Sequence, residues 1–384
     1  MSRRQNELSK VLTSLLCCML ILVLAGCEDP AVDEDQPIDL NDDDDAPYPY
    51  ALVIGGGLSE TLSVLKVEGP GEYVLLDDVR ATGQSITQTL LHSGELYALC
   101  SLSNSVVVYD QGELQVQREI SVGSGSNPIA MDFDSQGLAW IANFMEQDVS
   151  LYDLSTGINA EDRELARIAL PEEFQLPGDE GWARHSGLLV VDQRVFVALP
   201  NLDGDFTANG PGVVIVIDRA ERNQTADLTL TGSDTVGLVE DLQRGLLWAV
   251  SAGDYDQQDG FVGNGRVEAI DPQTLELVRD FEVNGAPIEM LIDEQGLGWL
   301  GNARNGVLTA IDLESGEQVY QVDLRDQDDP LGLSMISGLT LSPDGLLWVT
   351  EFNHDRLFAI DPLSGEKVES FVVNDGPDTL TVID

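Results

Sequence analysis

The sequence contains few basic residues and very few histidines. Its 384 residues include 19 Lys and Arg against 68 Asp and Glu, and 3 His, which gives a formal net charge of −49 at pH 7. A charge of this sign repels the phosphates of nucleic acids and of anionic lipids, so it excludes nucleic-acid binding. It does not by itself indicate a basic partner, because a saline habitat explains the acidity equally well.

Motifs of several enzyme classes are also absent. The chain has no Gly-x-Ser-x-Gly elbow, phosphate-binding loop, dinucleotide fingerprint or cysteine zinc cluster. Three of its four cysteines, Cys17, Cys18 and Cys27, lie near the N-terminus. The fourth, Cys100, falls in the apolar strand pattern "LYALCSL". We therefore predict a buried, unreactive thiol and no intramolecular disulfide.

Residues 1–26 have the features of a secretory signal peptide. Arg3, Arg4 and Lys10 precede the apolar run "VLTSLLCCMLILVLAG", which is too short for a comfortable membrane span. The run ends in "LAGC", which resembles the lipobox of bacterial lipoproteins. This resemblance implies that Cys27 carries the lipid and becomes the new N-terminus. The alternatives are a plain secretory signal or an uncleaved anchor.

Residues 27–49 form an acidic segment rich in proline, "CEDPAVDEDQPIDLNDDDDAPYP". Such a composition predicts a disordered, self-repelling tether that lifts a domain off the membrane. A cation site at "DDDD" is the alternative. We expect a location in the bacterial cell envelope, with the outer membrane or cell surface favoured. The inner membrane is the alternative, because acidic residues after the lipidated cysteine, here Glu28 and Asp29, influence sorting between the two membranes in some bacteria.

A repeat extends over residues 50–384. Seven strand-like runs carry an aromatic residue near their start, at intervals of 43 to 56 residues. Each of these runs is the second of four in its repeat. A third and a fourth apolar run follow it, separated by Gly, Asp, Asn and Ser, and in most repeats a first run precedes it. Four short strands at a period near 50 are typical of propeller blades. The aromatic residues are Tyr50, Tyr97, Trp140, Phe196, Trp248, Trp299 and Trp348.

The two ends of this region predict how the propeller closes. The first repeat begins at its second strand, "YALVIGG", and the chain finishes with "DTLTVID", a first-strand pattern with no blade behind it. The C-terminal strand would therefore complete blade one and cover an exposed edge. We predict an all-β fold, a seven-bladed β-propeller of four-stranded antiparallel blades.

The stretch "GLTLSPDGLLWVTEFNHDRLFAIDPLSGEKV" resembles the repeats of YVTN-type and NHL-type propellers and of the streptogramin B lyase-like group. The resemblance covers nearly all of residues 50–384 as a fold. Because binders, scaffolds and enzymes share these repeats, it does not identify a function.

The repeated residues have structural explanations. We expect the aromatic residues to pack between neighbouring blades, since each large ring buries extensive apolar surface. An aspartate ends the third strand of five blades, where its carboxylate would cap the following turn rather than bind metal. These aspartates are Asp153, Asp218, Asp271, Asp312 and Asp361.

The residues that do not repeat cluster at one end of the predicted blades. Loops that join second to third strands emerge on the same face as the linkers between blades. They are long in blade four, "LDGDFTANGPG", and blade five, "GDYDQQDGFVGNG". We call this end the loop-rich face and predict that it binds the ligand. Its candidate residues are Arg184, His185, Asn302, Arg304, Glu351, Asn353 and His354.

Two acidic loops of the loop-rich face suggest a calcium site, and no cofactor is required. Alternating oxygen-bearing side chains before a glycine resemble calcium loops, although the distal Glu of an EF-hand is missing. Solvated acidic loops are the alternative. The candidate ligands are Asn201, Asp203, Asp205, Asp254, Asp256 and Asp259.

An enzymatic function is the alternative to binding. Streptogramin lyases use histidine and glutamate with magnesium at one end of a propeller, and the resemblance implies Glu351 and His354 as the nearest match, with His185 on the same face. His92 falls in a turn on the opposite face. We favour a monomeric, lipid-anchored propeller that binds a protein or an extracellular or periplasmic ligand and touches the membrane only through its lipid. The alternative is a metal-assisted lyase or lactonase-like enzyme.

Overall fold

The computed structural model describes residues 48–383, apart from 147, 171–173, 175–180, 183–185, 204–206, 257–259 and 326–331. Only the backbone is described for Glu161, Gly181, Trp182, Asp203 and Asp256. The predicted signal peptide and the predicted tether up to residue 47 lie outside these residues. Among the residues described, no helix is long and apolar enough to cross a membrane.

The first part of the chain contains seven strands rich in β-branched and aromatic residues, which favour the pleated backbone. They are β1 (Tyr50–Gly56), β2 (Thr61–Gly69), β3 (Glu72–Ala81), β4 (Ile86–His92), β5 (Glu95–Cys100), β6 (Ser105–Asp110) and β7 (Val116–Ser121).

The middle part contains seventeen described strands and one short 3-10 helix, Ala160–Asp162. The strands are β8 (Pro128–Phe133), β9 (Ala139–Asn143), β10 (Asp148–Tyr152), β11 (Glu164–Ala169), β12 (Gly181–Trp182), β13 (Gly187–Val191), β14 (Arg194–Leu199), β15 (Leu202–Asp203), β16 (Pro211–Asp218), β17 (Asn223–Ser233), β18 (Thr235–Asp241), β19 (Leu246–Ser251), β20 (Tyr255–Asp256), β21 (Gly260–Phe261), β22 (Asn264–Asp271), β23 (Glu276–Asn284) and β24 (Pro287–Ile292).

The last part contains β25 (Leu297–Asn302), β26 (Val307–Asp312), β27 (Gln318–Asp323), β28 (Ile336–Leu341), β29 (Leu347–Glu351), β30 (Arg356–Asp361), β31 (Glu366–Val372) and β32 (Pro377–Ile383).

These strands form seven four-stranded antiparallel sheets, which confirms the predicted all-β, seven-bladed propeller. Blade one has the order β3-β2-β1-β32, so the C-terminal strand completes it as predicted. In this sheet Ala51 pairs with Ile383 and Gly56 with Pro377. Two small two-stranded ribbons, β12-β15 and β20-β21, lie within the long connections of blades four and five.

The chain divides into two compact units, each with its own buried clusters. In residues 128–292, Trp140 of blade three shares a cluster with Val197 of blade four, and Phe196 of blade four shares one with Leu247 of blade five. In the unit of residues 48–127 and 293–383, Trp348 of blade seven shares a cluster with blade one. These aromatic residues therefore pack against neighbouring blades, as predicted.

A hydrogen bond accompanies each of the four repeated tryptophans. All four are at most 1% exposed, and each indole N–H donates to a residue at the end of the first strand or in the turn that follows it. The acceptors are Asp134 for Trp140 (3.3 Å), Asp241 for Trp248 (3.3 Å), Asp293 for Trp299 (2.8 Å) and Ser342 for Trp348 (3.1 Å). A buried indole requires such a partner, because an unpaired N–H in the core is costly.

The five repeated aspartates cap turns, as predicted. Each carboxylate accepts at least one backbone N–H within the following three residues. The amides belong to Ser155, Ala220, Glu221, Gln273, Thr274, Glu314, Ser315 and Leu363, and the carboxylates to Asp153, Asp218, Asp271, Asp312 and Asp361.

Candidate functional site

Blade seven carries a polar turn between β29 and β30 on the loop-rich face. Glu351 ends β29 and is 1% exposed. Its carboxylate accepts hydrogen bonds from the backbone N–H groups of Asn353 (3.3 Å) and His354 (2.9 Å). The Nδ1 atom of His354 lies 3.1 Å from both carboxylate oxygens. The structure therefore brings Glu351 and His354 together, with the carboxylate also bracing the turn.

The residues after Glu351 tie this turn to the linkers on either side of blade seven. The Oδ1 atom of Asn353 accepts the backbone N–H of Met335 at 2.9 Å. Asp355 has a positive φ of 55° and accepts the N–H of Gly376 at 2.9 Å. Because these bonds reach both linkers, the turn is held rigid around the half-buried ring of His354.

Blade six presents a similar turn between β25 and β26. Asn302 is 2% exposed and donates from Nδ2 to the carbonyl of Val307 at 2.8 Å. Arg304 is exposed, and its backbone carbonyl accepts the N–H of Ser334 at 3.0 Å. Asn302 therefore supports the turn, while the side chain of Arg304 is available on the surface.

Asp378 lies near this end of blade one and was not predicted from the sequence. It is the second residue of β32 and is half-buried. A Cβ atom built on Gly57 would lie 3.5 Å from Asp378 Oδ2 and 3.3 Å from the ring of Phe352. Burial raises the pKa of Asp378 to about 7, and the Ser337 hydroxyl opposes this shift.

Asp234 is a second carboxyl that the sequence analysis missed. It lies in the linker before β18, is 3% exposed and has a positive φ of 53°. Burial raises its pKa to about 7. No pattern around either residue distinguishes it from the many acidic surface positions, because only the packing around the carboxyl raises the pKa.

The predicted calcium ligands are only partly described. Asp254 is exposed, and its carboxylate accepts the Ser233 hydroxyl at 2.7 Å and the Asn264 amide at 3.0 Å. Asn201 donates to the carbonyl of Pro211 at 3.0 Å. Asp205 and Asp259 lie outside the described residues, as do the side chains of Asp203 and Asp256.

Within the described part of the chain, no group of three or more His, Cys, Asp or Glu side chains is placed to hold a metal ion. Arg184 and His185 of the predicted loop-rich face also lie outside the residues that the structure describes. Calcium binding and the contribution of these two residues therefore stay predictions.

Comparison with known proteins agrees with the fold. No family model matches the chain, and no curated protein matches its sequence. The structure is similar to Kuenenia stuttgartiensis hydrazine synthase, with a TM-score of 0.60, 14% identity, and coverage of 78% of this chain and 95% of that chain. It is also similar to a streptogramin B lyase structure, with a TM-score of 0.56, 13% identity, and coverage of 76% and 84%. At these identities the similarity shows the propeller fold alone.

Proposed function

We propose that the protein is an exported, membrane-anchored binding module that engages a protein or extracellular ligand through its loop-rich face. The observation that carries this proposal is the rigid turn at Glu351. The buried carboxylate accepts two backbone N–H groups and contacts the imidazole of His354, so it holds an exposed turn in one conformation. A turn ordered before binding loses little conformational entropy when a ligand docks, which favours affinity.

The anchor is part of the same proposal. The "LAGC" motif supports lipidation at Cys27, and the acidic residues 28–47 support a spacer between the lipid and the propeller. A bacterial envelope location, with the outer membrane or cell surface favoured, follows from these two features. The exposed polar residues of blades six and seven, Arg304 and Asn353, would then contact the ligand together with His354.

Affinity capture tests the proposal with a matched pair of variants. Gln295 and Arg304 are both exposed and lie at opposite ends of β25. Full-length protein cross-linked in native envelopes should recover a partner, and Arg304→Glu should reduce the yield several-fold while Gln295→Glu leaves it unchanged. Equal loss in both variants, or no loss in Arg304→Glu, would contradict a site on the loop-rich face.

A metal-assisted lyase or lactonase-like enzyme is the second candidate, because His354 contacts a buried carboxylate at 3.1 Å. In this arrangement His354 would move the proton and Glu351 would orient the imidazole, a common division between base and positioning residue. His354→Ala should then abolish turnover of a lactone or cyclic ester with the fold intact. Normal turnover in both His354→Ala and Glu351→Gln would eliminate this assignment.

A further inference from the structure

The N-terminal entry to the propeller is fixed to blade seven. The hydroxyl of Tyr48 donates to Asp344 Oδ2 at 2.7 Å, and that of Tyr50 donates to Oδ1 at 3.1 Å. The two rings stack at a centroid distance of 5.9 Å. One carboxylate in the turn between β28 and β29 therefore binds the two tyrosines through which the chain enters its first strand.

Further contacts bury this junction. Ser342 donates to Asp344 at 2.5 Å, and the indole of Trp348 donates to both Ser342 (3.1 Å) and Tyr50 (3.3 Å). Tyr48 packs against the same apolar cluster. Burial, followed by the hydrogen bond to Asp344, raises the pKa of Tyr48 to about 12. The phenol is thus neutral and donating throughout the physiological range, so the junction stays fixed to the blade.

The direction of β29 relates this junction to the loop-rich face. Asp344 lies in the turn just before β29, and Glu351 is the last residue of that strand. A strand of five residues spans about 16 Å. The chain therefore enters the domain at the end of blade seven opposite to the turn that holds Asn353 and His354.

We infer that this junction orients the anchored protein, with the loop-rich face directed away from the membrane. Its ligand is then a soluble molecule that arrives from the aqueous space. A lipid headgroup or an integral protein of the anchoring membrane would meet the opposite end of the blades instead. The inference rests on the lipid anchor at Cys27 put forward above.

The charge of the tether supports this orientation, whereas its reach alone would allow either end of the blades to face the membrane. Twenty residues separate Cys27 from Tyr48, and a fully extended chain spans at most about 3.5 Å per residue, or about 70 Å. To bring the loop-rich face to the membrane, this segment would have to run along the outside of a blade. That path would hold its carboxylates against residues 48–384, which carry 16 Lys and Arg against 57 Asp and Glu, and this is electrostatically unfavourable.

Energy transfer in proteoliposomes tests the orientation. Arg304→Cys and Gln295→Cys place a donor dye at either end of β25, and the vesicles carry an acceptor dye on the lipid headgroups. The only other cysteine of residues 48–384, Cys100, is buried, so we expect the dye not to label it in the folded protein. We expect the transfer efficiency from position 295 to be at least twice that from position 304. Equal efficiencies, or a higher value at 304, would overturn the orientation.

Two controls separate the anchor from the orientation. Flotation of the vesicles reports the anchor, and Cys27→Ser should abolish it. If the unmodified protein does not float, the anchor itself is wrong and the orientation is overturned with it. If Tyr48→Ala folds normally, as judged by circular dichroism, the difference between the two positions should shrink. If the difference in transfer efficiency between positions 295 and 304 is unchanged in Tyr48→Ala, the Tyr48 junction does not orient the protein.

Discussion

At the scale of single residues, Glu351 has the contacts of a structural carboxylate. It accepts two backbone N–H groups and contacts His354, while only 1% of the residue is exposed. The two residues are separated by three positions in a short turn, so the sequence could predict that they lie close together. It could not predict that the carboxylate points inward to its own turn, because that depends on the linkers packed around it.

Glu351→Gln should therefore reduce stability. An amide cannot replace both acceptor oxygens, so at least one part-buried N–H of the turn loses its bond to a buried carboxylate, which costs about 1–3 kcal/mol. The free energy of unfolding, measured by urea titration, checks this value. Glu366→Gln, at an exposed position of β31, is the control and should change it by less than about 0.5 kcal/mol. Equal effects of the two substitutions would show that the turn does not depend on Glu351.

Asp234 predicts a pH dependence of stability. Its pKa in the folded protein is raised to about 7 by burial, whereas an unfolded Asp titrates near ~3.9. The folded state therefore holds a proton that the unfolded chain has lost. The stabilising contribution is fully present below about pH 4 and is lost as the pH rises through about 7. Carboxyls with a lowered pKa, such as Glu95 beside Arg118, change the free energy of unfolding only at more acid pH.

Asp234→Asn removes this titration while keeping a residue type that tolerates positive φ. Between pH 5 and pH 8, the wild type should lose more unfolding free energy than the variant, by roughly 1–3 kcal/mol, since one pH unit corresponds to about 1.4 kcal/mol. Urea titrations at the two pH values measure the difference. Asp227→Asn, at an exposed position of β17, should leave the wild-type pH dependence intact. Identical slopes for wild type and Asp234→Asn would contradict the raised pKa.

At the scale of elements, the repeat predicted the strands and their turn-capping aspartates well. An aspartate such as Asp312 acts on its own following residues, so its role can be read from local sequence. The bond from Trp299 to Asp293 joins a strand to the turn before it. From the sequence, only packing between blades was predicted for this tryptophan, and not the hydrogen bond. The ribbons β12-β15 and β20-β21 were missed because two-residue strands leave no periodic pattern.

The bond between Asp293 and Trp299 should matter more than a surface cap. Asp293 is 1% exposed and also accepts the backbone N–H of Leu297 at 2.8 Å. Asp293→Ala leaves buried donors without an acceptor and should cost about 1–3 kcal/mol. Asp312→Ala, which removes the exposed turn bonds to Glu314 and Ser315, should cost about 0.5–1 kcal/mol. Thermal unfolding of both variants measures this order, and a reversed order would contradict it.

At the scale of the whole molecule, closure through blade one could be predicted because the first repeat lacks its first strand and the chain ends with one. The C-terminal strand also bonds to blade two through threonines. Thr89 donates to Thr379 at 3.0 Å, and Thr381 donates to the carbonyl of Thr89 at 3.0 Å. These contacts depend on neighbouring blades and could not be predicted from sequence.

Deletion of residues 377–384 should therefore abolish cooperative unfolding and promote aggregation, since it exposes the edge of β1. Size-exclusion chromatography and circular dichroism would report the loss. A synthetic peptide of the same residues, added in trans, should restore the monomer, and a scrambled peptide should not. A truncated chain that stays monomeric and as stable as the wild type would contradict closure by β32.

The central claim is that the loop-rich face binds the ligand. A photo-cross-linking amino acid placed at position 304, and in a second variant at position 295, tests it most directly in native envelopes. The account predicts a discrete cross-linked product from position 304 that is several-fold weaker or absent from position 295. A product from position 295 alone, or equal products from both positions, would contradict it.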